Sequence, residues 1–268
     1  MNRILVLLLS LVLALPVQAL DLQGLYEQAL SASRQGDFAE ALPLWDSFLE
    51  QAPEDAAALS NRGNVRLALG DPTGAINDQS ASIALAPEES DPRLNRGTAE
   101  EALEDWSAAA ADYLWILERD PQDASALYNL ANVRGSQGDW PEARALYGQA
   151  SLARPGFAMA RSSEALAAWQ AGDLDWAEAE LRKLIRRYPM FADARAALSG
   201  LLWRNGASGE AESHWAAAAG LDQRYRQADW LKQVRRWPPQ PTADLMAFLS
   251  LEASRDGAGC CPLRSSQP

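Results

Sequence analysis

A period of 34 residues is the feature that most restricts how this chain can fold. Four tripeptides recur at multiples of it, with Glu104-Asp105-Trp106 at the intermediate place: Gly36-Asp37-Phe38, Gly70-Asp71-Pro72, Gly138-Asp139-Trp140 and Gly172-Asp173-Leu174. Self-similarity at about 20–50 residues is typical of arrays of one repeated supersecondary unit. The sequence thus predicts six repeats without insertion: residues 22–55, 56–89, 90–123, 124–157, 158–191 and 192–225.

Small residues at two fixed places of the repeat indicate that each repeat is a helical hairpin. The eighth place holds Ala29, Gly63, Gly97, Ala131, Ala165 and Ser199, and the twentieth holds Ala41, Ala75, Ala109, Ala143, Ala177 and Ala211. Small side chains at fixed places allow two helices to approach closely. Each repeat except the last has a proline near its end, which cannot continue a helix: Pro53, Pro87, Pro121, Pro155 and Pro189. β-Branched residues are sparse, so an all-α fold is predicted.

Together, the period, the small residues at the two places, the turn tripeptides and the closing prolines resemble the tetratricopeptide repeat (TPR) family. The resemblance implies a right-handed α-solenoid in which the first helix of each repeat lines the concave side. This sequence departs from the pattern at Glu104, in place of the turn glycine, and at Gln223, in place of the sixth proline.

The residues after the repeats are predicted to form a carboxy-terminal cap, residues 226–252, and a disordered tail, residues 253–268. Arg226–Arg236 has the spacing of an amphipathic helix that would cover the exposed end of the array. After the proline-rich break that follows, Thr242 is the expected cap of a short apolar segment that docks back onto the protein. In the tail, Cys260 and Cys261 could form a vicinal disulfide, pair with another chain or thiol, or have no role.

The amino terminus is predicted to be a signal peptide, residues 1–19. Arg3 precedes an apolar stretch from Ile4 to Leu15, and Val17-Gln18-Ala19 provides a cleavage site. An uncleaved anchor is the alternative, but the stretch is shorter than the roughly 20 residues of a spanning helix. We therefore expect export to the periplasm, or to the thylakoid lumen in a photosynthetic organism, with no membrane insertion after cleavage.

A formal net charge of −12 argues against binding to nucleic acid, because the protein repels phosphate backbones. The acidic excess lies in residues 22–123, whereas residues 124–268 are nearly neutral. Surface acids that maintain solubility explain this distribution, and a basic partner at the amino-terminal end is the alternative.

No residue pattern points to catalysis, a metal or a cofactor. His214 is the single histidine and has no second histidine or cysteine near it in sequence. No phosphate-binding glycine loop, nucleophile elbow or zinc-protease motif occurs. The sequence therefore predicts a binding protein and not an enzyme.

The candidate binding site is a row of polar residues at places six and nine of the first helices. These places hold Asn61, Asn64, Asn95, Thr98, Asn129 and Asn132. A side-chain amide both donates and accepts hydrogen bonds, so such a row can pair with the backbone of an extended peptide. Alternatively, these amides bond to neighbouring helices. Tyr26, Tyr128, Leu166 and Trp169 flank the row as candidate anchors, although Trp169 can also pack between units.

The predicted function is a scaffold or assembly factor that binds proteins or extended peptide segments. The alternative is a structural TPR protein that self-associates into a homo-oligomer through its exposed end or its tail cysteines.

Overall fold

The computed structural model describes the backbone of residues 22–258 and the side chains of residues 22–251. This part of the chain divides into two compact units, unit 1 (residues 22–87) and unit 2 (residues 88–258). It contains fourteen α-helices, one 3-10 helix and no strand. None of the described helices has the length and apolar character needed to cross a bilayer. The predicted signal peptide, Cys260 and Cys261 lie outside the described residues.

Each unit is built from helices that pair in sequence order. Unit 1 contains α1 (Leu22–Gln35), α2 (Phe38–Gln51), α3 (Ala56–Ala68) and α4 (Pro72–Leu85). The repeats of unit 2 contain α5 (Asp91–Ala102), α6 (Trp106–Arg119), α7 (Ala124–Ser136), α8 (Trp140–Ala153), α9 (Ala158–Gln170), α10 (Leu174–Arg187), α11 (Ala192–Arg204) and α12 (Ser208–Leu221). The all-α repeat fold predicted from the sequence is confirmed.

The recurring Gly-Asp pair turns the chain between the two helices of a repeat. Gly70 has a φ of 84°, the left-handed conformation that ends a helix and that glycine adopts without a Cβ clash. Asp71 then accepts a hydrogen bond from the Gly74 amide at 2.8 Å and caps the second helix. Glu104 adopts a φ of 59° at the matching place, so the turn forms there despite the missing glycine, with local strain.

The small residues lie where the two helices of a hairpin meet. All six alanines of the twentieth place are at most 1% exposed. A Cβ added to Gly97 would lie 2.6 Å from a ring carbon of Tyr113 on the facing helix. The side chain of Gln79 approaches Gly63 in the same way, at 2.8 Å. The expected close approach is present in both units.

Two short helices follow α12 and cap the core at that end of the repeats. A 3-10 helix, Gln223–Arg226, leads into α13, Ala228–Gln233. Tyr225 packs edge-on against Trp230 at 5.0 Å, and Leu231 is fully buried in the same core as Trp215 of α12. The expected single helix over Arg226–Arg236 is thus wrong in its bounds, because an extended residue, Gln227, separates two short helices.

The last helix, α14, spans Pro239–Ala258, and two expectations about it are wrong. Thr242 is not its cap: it lies inside the helix, and its hydroxyl donates to the Pro238 carbonyl at 2.9 Å. The helix starts earlier because a proline in the first turn has no amide hydrogen that needs a partner. It also extends past Glu252 into the predicted tail, where Ala253 and Arg255 have high helix propensity.

Candidate functional site

The first helices of unit 1 present Asn61 and Asn64, as the sequence predicted. Asn61 is half-buried, and no hydrogen bond of its side chain is seen within the part of the chain that the structure describes. Asn64 is exposed, and its amide oxygen accepts from Gln79 on α4 at 3.0 Å. The two amides therefore differ: Asn64 is tied to the second helix of its own repeat, whereas Asn61 has hydrogen-bonding capacity to spare.

Tyr26 lies at the edge of the unit 1 core. Its ring packs edge-on against Trp45 at 5.1 Å and against Phe48 at 5.2 Å, and it remains half-buried. Trp45 is fully buried, so Tyr26 is held in place by packing and still offers part of its surface. A rigid, partly exposed aromatic ring is suited to anchor a ligand.

In unit 2, two of the polar residues bond within the repeats. Asn132 is 9% exposed and accepts from the Tyr147 hydroxyl at 2.7 Å. Thr98 is exposed but donates to the Leu94 carbonyl of its own helix at 3.0 Å. The alternative in which the amides bond to neighbouring helices thus applies to Asn132, as it does to Asn64.

Asn95 and Asn129 lie half-buried on α5 and α7. Burial raises the pKa of the hydroxyl of Tyr113 on α6, and the side chain of Asn129 acts against that shift. That hydroxyl donates in turn to the Glu101 carboxylate at 2.7 Å. The amide row of unit 2 is therefore part of a polar network that also contains a buried acidic group.

Leu166 and Trp169 are each only 1% exposed, so neither is an open groove contact. For Trp169 the alternative is confirmed: it packs between repeats, where a Cβ added to Gly200 on α11 would lie 3.2 Å from its ring. Leu166 and Trp169 belong to a core cluster with Leu245 and Phe248 of α14. The sequence indicated that this apolar segment docks back, but it did not indicate where. It docks on α9 and α11, because their inward places are apolar or small and leave room for another helix.

Contacts along α14 show how closely it lies against these first helices. The backbone amide of Gln240 donates to the side-chain oxygen of Gln170 at 2.8 Å. A Cβ added to Gly200 on α11 would lie 3.2 Å from the backbone nitrogen of Leu245. Here the small residue accommodates the backbone of a docked segment and not a side chain from its own hairpin.

A buried carboxylate holds the turn before α14 in place. Asp193 on α11 is fully buried and bonds to Arg235 at 2.7 Å and to the Trp237 indole nitrogen at 3.1 Å. The hydroxyls of Ser162 and Tyr225 also donate to it, at 2.6 and 3.0 Å. Burial acts to raise the pKa of Asp193, but the Arg235 charge and the donated hydrogen bonds outweigh it and lower that pKa.

A model of the tetratricopeptide repeat matches residues 26–90, 94–158, 128–184 and 162–229, which together cover most of the chain.

The chain belongs to the tetratricopeptide repeat family.

Solved structures of other TPR proteins share the fold. A TPR protein from Parabacteroides merdae aligns over 88% of this chain and 86% of its own, with a TM-score of 0.66 and 18% identity. YrrB, described as a TPR protein with an unusual peptide-binding site, aligns over 67% of this chain and 92% of its own, with a TM-score of 0.51 and 16% identity.

A curated relative is similar over a short part of the chain. The "DnaJ homolog subfamily C member 3" of Gallus gallus is 42% identical over 65 residues, which are 24% of this chain. The matched segment spans only 13% of that relative. The similarity is therefore confined to a few helices of a longer protein.

A second buried carboxylate of the TPR array faces the same carboxy-terminal turn. Glu101 on α5 is 6% exposed, and burial raises its pKa above the ordinary value. Arg236 approaches it to 3.3 Å and lies over the ring of Trp106 at 5.4 Å. Burial raises the pKa of Tyr128, a predicted anchor on α7, and Ser163 and Arg235 act against that shift. The turn at residues 235–237 thus contacts buried carboxylates on α5 and α11.

His214 pairs with Glu210 one helical turn away at 3.6 Å, and burial lowers its pKa. Among the described residues, no group of three or more histidine, cysteine or carboxylate side chains could hold a metal ion.

Proposed function

We propose that this chain is a non-enzymatic TPR scaffold that binds partner proteins or extended peptide segments through the first helices of its repeats. The observation that carries this proposal is the docking of residues 235–251 on the first helices of unit 2. That face binds a non-repeat segment through charged, polar and apolar contacts at once, from Asp193 to Leu245. A surface that accommodates one such segment has the chemistry to bind another.

Two residues on the first helices of unit 1 also support this proposal. Asn61 offers an amide, and Tyr26 offers a fixed aromatic ring with part of its surface exposed. An amide that donates and accepts can pair with peptide backbone whatever the ligand's side chains are. YrrB, the TPR protein described as having an unusual peptide-binding site, supports the proposal at the level of fold.

The proposed compartment is extracytoplasmic, either periplasm or thylakoid lumen, and rests on the amino-terminal sequence. We expect mature protein from cell-envelope or lumen material to begin at Leu20, after the Val17-Gln18-Ala19 site. Intact mass measurement checks this, and a mass that still includes Met1 would contradict it.

Site-specific photo-crosslinking tests the binding face. A photoreactive residue at Asn61 in unit 1, or at the exposed Thr98 in unit 2, should capture a partner in the native organism. The matched control is Leu152, which is 74% exposed on a second helix, α8. Capture from Leu152 but not from the first helices would overturn the proposal. Capture of a second copy from the first helices would favour self-association instead.

A further inference from the structure

Two consecutive arginines connect acidic groups that are far apart in the sequence. Arg235 contacts Asp193 on α11, and Arg236 contacts Glu101 on α5. Both carboxylates are largely buried, at 0% and 6% exposed. A buried carboxylate requires a cation or hydrogen-bond donors, so these two places select what lies against them.

The geometry at Asp193 favours an arginine followed closely by an aromatic residue. The Nε and one terminal nitrogen of Arg235 both donate to the same carboxylate oxygen, at 3.0 and 2.7 Å. The indole nitrogen of Trp237 donates to it as well. A lysine lacks the planar fork that makes two such bonds, so the site distinguishes between the two cations.

The docked turn has features of a replaceable occupant. Arg236 adopts a φ of 55°, a left-handed conformation that is unfavourable for a residue with a side chain. Two contacts near the start of α14 are polar and have one water-accessible partner each: Arg204, 39% exposed, pairs with the buried Asp244 at 2.8 Å, and the backbone amide of the exposed Gln240 donates to Gln170. Local strain and water-accessible contacts reduce the cost of releasing this segment.

We infer that the first helices of unit 2 are selective for a protein segment with two adjacent arginines and an aromatic residue, and that residues 235–251 are a resident copy of that ligand. The inference rests on the proposed binding function and specifies the chemistry of the partner. A partner with this pattern competes with the resident segment for Asp193 and Glu101. Because the resident segment is covalently attached, its effective concentration is on the order of millimolar, and only a closely matched segment displaces it.

A fluorescent synthetic peptide of residues 233–251, titrated into the full chain, tests this inference. The wild-type chain should bind it weakly. Arg235→Ala, which weakens the resident segment but leaves Asp193 and Glu101 in place, should bind it at least about tenfold tighter. A peptide carrying R235E and R236E should bind neither chain. Glu101→Gln, added to Arg235→Ala, should reduce the affinity again.

A second opening variant keeps the test decisive if Arg235→Ala loses its helical circular dichroism. Asp244→Ala removes the pair with Arg204, whose side chain is partly exposed and stays solvated, and the hydrogen bond that the Gln240 side chain donates to Asp244 at 3.0 Å. It should increase peptide affinity in the same direction but less strongly. Equal affinity of the wild-type chain and a folded opening variant would overturn the inference, as would equal binding of the charge-reversed peptide.

The peptide assay and the crosslinking experiment can fail independently. A partner captured at Thr98 that the peptide does not displace would leave the scaffold function standing and refute the basic and aromatic selectivity. Selective peptide binding without any captured partner would contradict the scaffold function and leave the selectivity of the face intact.

Discussion

The first helices of unit 1 and unit 2 follow the same repeat pattern but lie in different environments. In unit 1, α1 and α3 contribute to a core made by its own helices, and the amides of Asn61 and Asn64 remain at least partly accessible. In unit 2, α9 and α11 are covered by α14, so Leu166 and Trp169 are almost fully buried. The comparison shows that the repeat pattern decides which side chains share a face, whereas residues outside the repeats decide whether that face is open.

The ionic interactions of the two units differ in the same way. In unit 1, Arg62 is bonded to Asp46 and Asp78, with 18% of its side chain exposed. In unit 2, the Arg235–Asp193 pair is less exposed, at 13% for the arginine and 0% for the aspartate, against 18% and 5% for Arg62 and Asp78. If Asp78 is lost, Arg62 still has Asp46, which is 46% exposed, whereas loss of Asp193 takes from Arg235 the fully buried carboxylate against which it packs.

The largest expected effect comes from Asp193→Ala. It leaves Arg235 buried without its carboxylate, and we expect the free energy of unfolding of unit 2 to fall by about 3–5 kcal/mol. Asp78→Ala in unit 1 is the matched control and should cost about 1–3 kcal/mol, because Arg62 retains Asp46, and both Arg62 and Arg66, the second arginine paired with Asp78, keep partial access to water.

Denaturant unfolding followed by hydrogen exchange assigns each loss to its unit. Protection should decrease in α11 and α14 for Asp193→Ala, and in α3 and α4 for Asp78→Ala. Equal losses for the two variants would show that the difference in burial has no energetic weight.

The next effect concerns the amide row. Asn132→Ala removes the acceptor of the buried Tyr147 hydroxyl, and we expect it to cost about 1–3 kcal/mol. Asn61→Ala should change stability by less than about 0.5 kcal/mol, because no side-chain bond is lost and alanine favours the helix. Thermal melts of the two variants measure the contrast. A destabilising Asn61→Ala would reveal a structural role and weaken its assignment to binding.

The smallest effect depends on pH. Burial raises the pKa of Glu100 on α5 to about 7 from an ordinary 4.5, the Asp112 carboxylate adds to the shift, and Arg96 opposes it. The folded state therefore holds this proton more tightly than the unfolded state. The corresponding stability is fully present below pH 4.5 and is lost as the pH rises through 7.

Glu100→Gln removes this loss, so the variant should exceed the wild type in stability above pH 7, by about 1–2 kcal/mol. The difference should shrink as the pH falls toward 4.5. Urea unfolding of both proteins across this range measures it, and hydrogen exchange in α2 and α3 of unit 1 should not change. A difference independent of pH would contradict the raised pKa.

The predictions from sequence were most successful where a local rule acts six times. The alanines of the twentieth place are all buried, and the Gly-Asp pairs make the expected turns. They were less successful after Leu221, where no repeat constrains the chain. The start of α14 at Pro239 and the bounds of α13 depend on local details that a single occurrence does not reveal.

For the candidate site, the sequence correctly placed Asn61, Asn129 and Tyr128 on the first helices but did not reveal their partners. Nothing in the repeat pattern indicates that Asn132 accepts a hydrogen bond from Tyr147, or that Arg235 pairs with Asp193. In the sequence, Asp193 is one acidic residue among many, and no pattern distinguishes it. Its function as a buried acceptor depends on donors from four residues, one on α9 and three in the segment after α12: Ser162, Tyr225, Arg235 and Trp237.

The sequence by itself determined the all-α repeat fold, its register and its family, because periodicity, small residues and turn residues act between neighbours a few places apart. Only the tertiary structure decided that α14 covers the first helices of unit 2 and that Arg235 and Arg236 reach carboxylates far away in the chain. Such contacts depend on which surfaces remain uncovered once the hairpins have packed. Hydrophobic burial is nondirectional, so an apolar segment docks on whichever complementary face is left, and no local pattern records that choice.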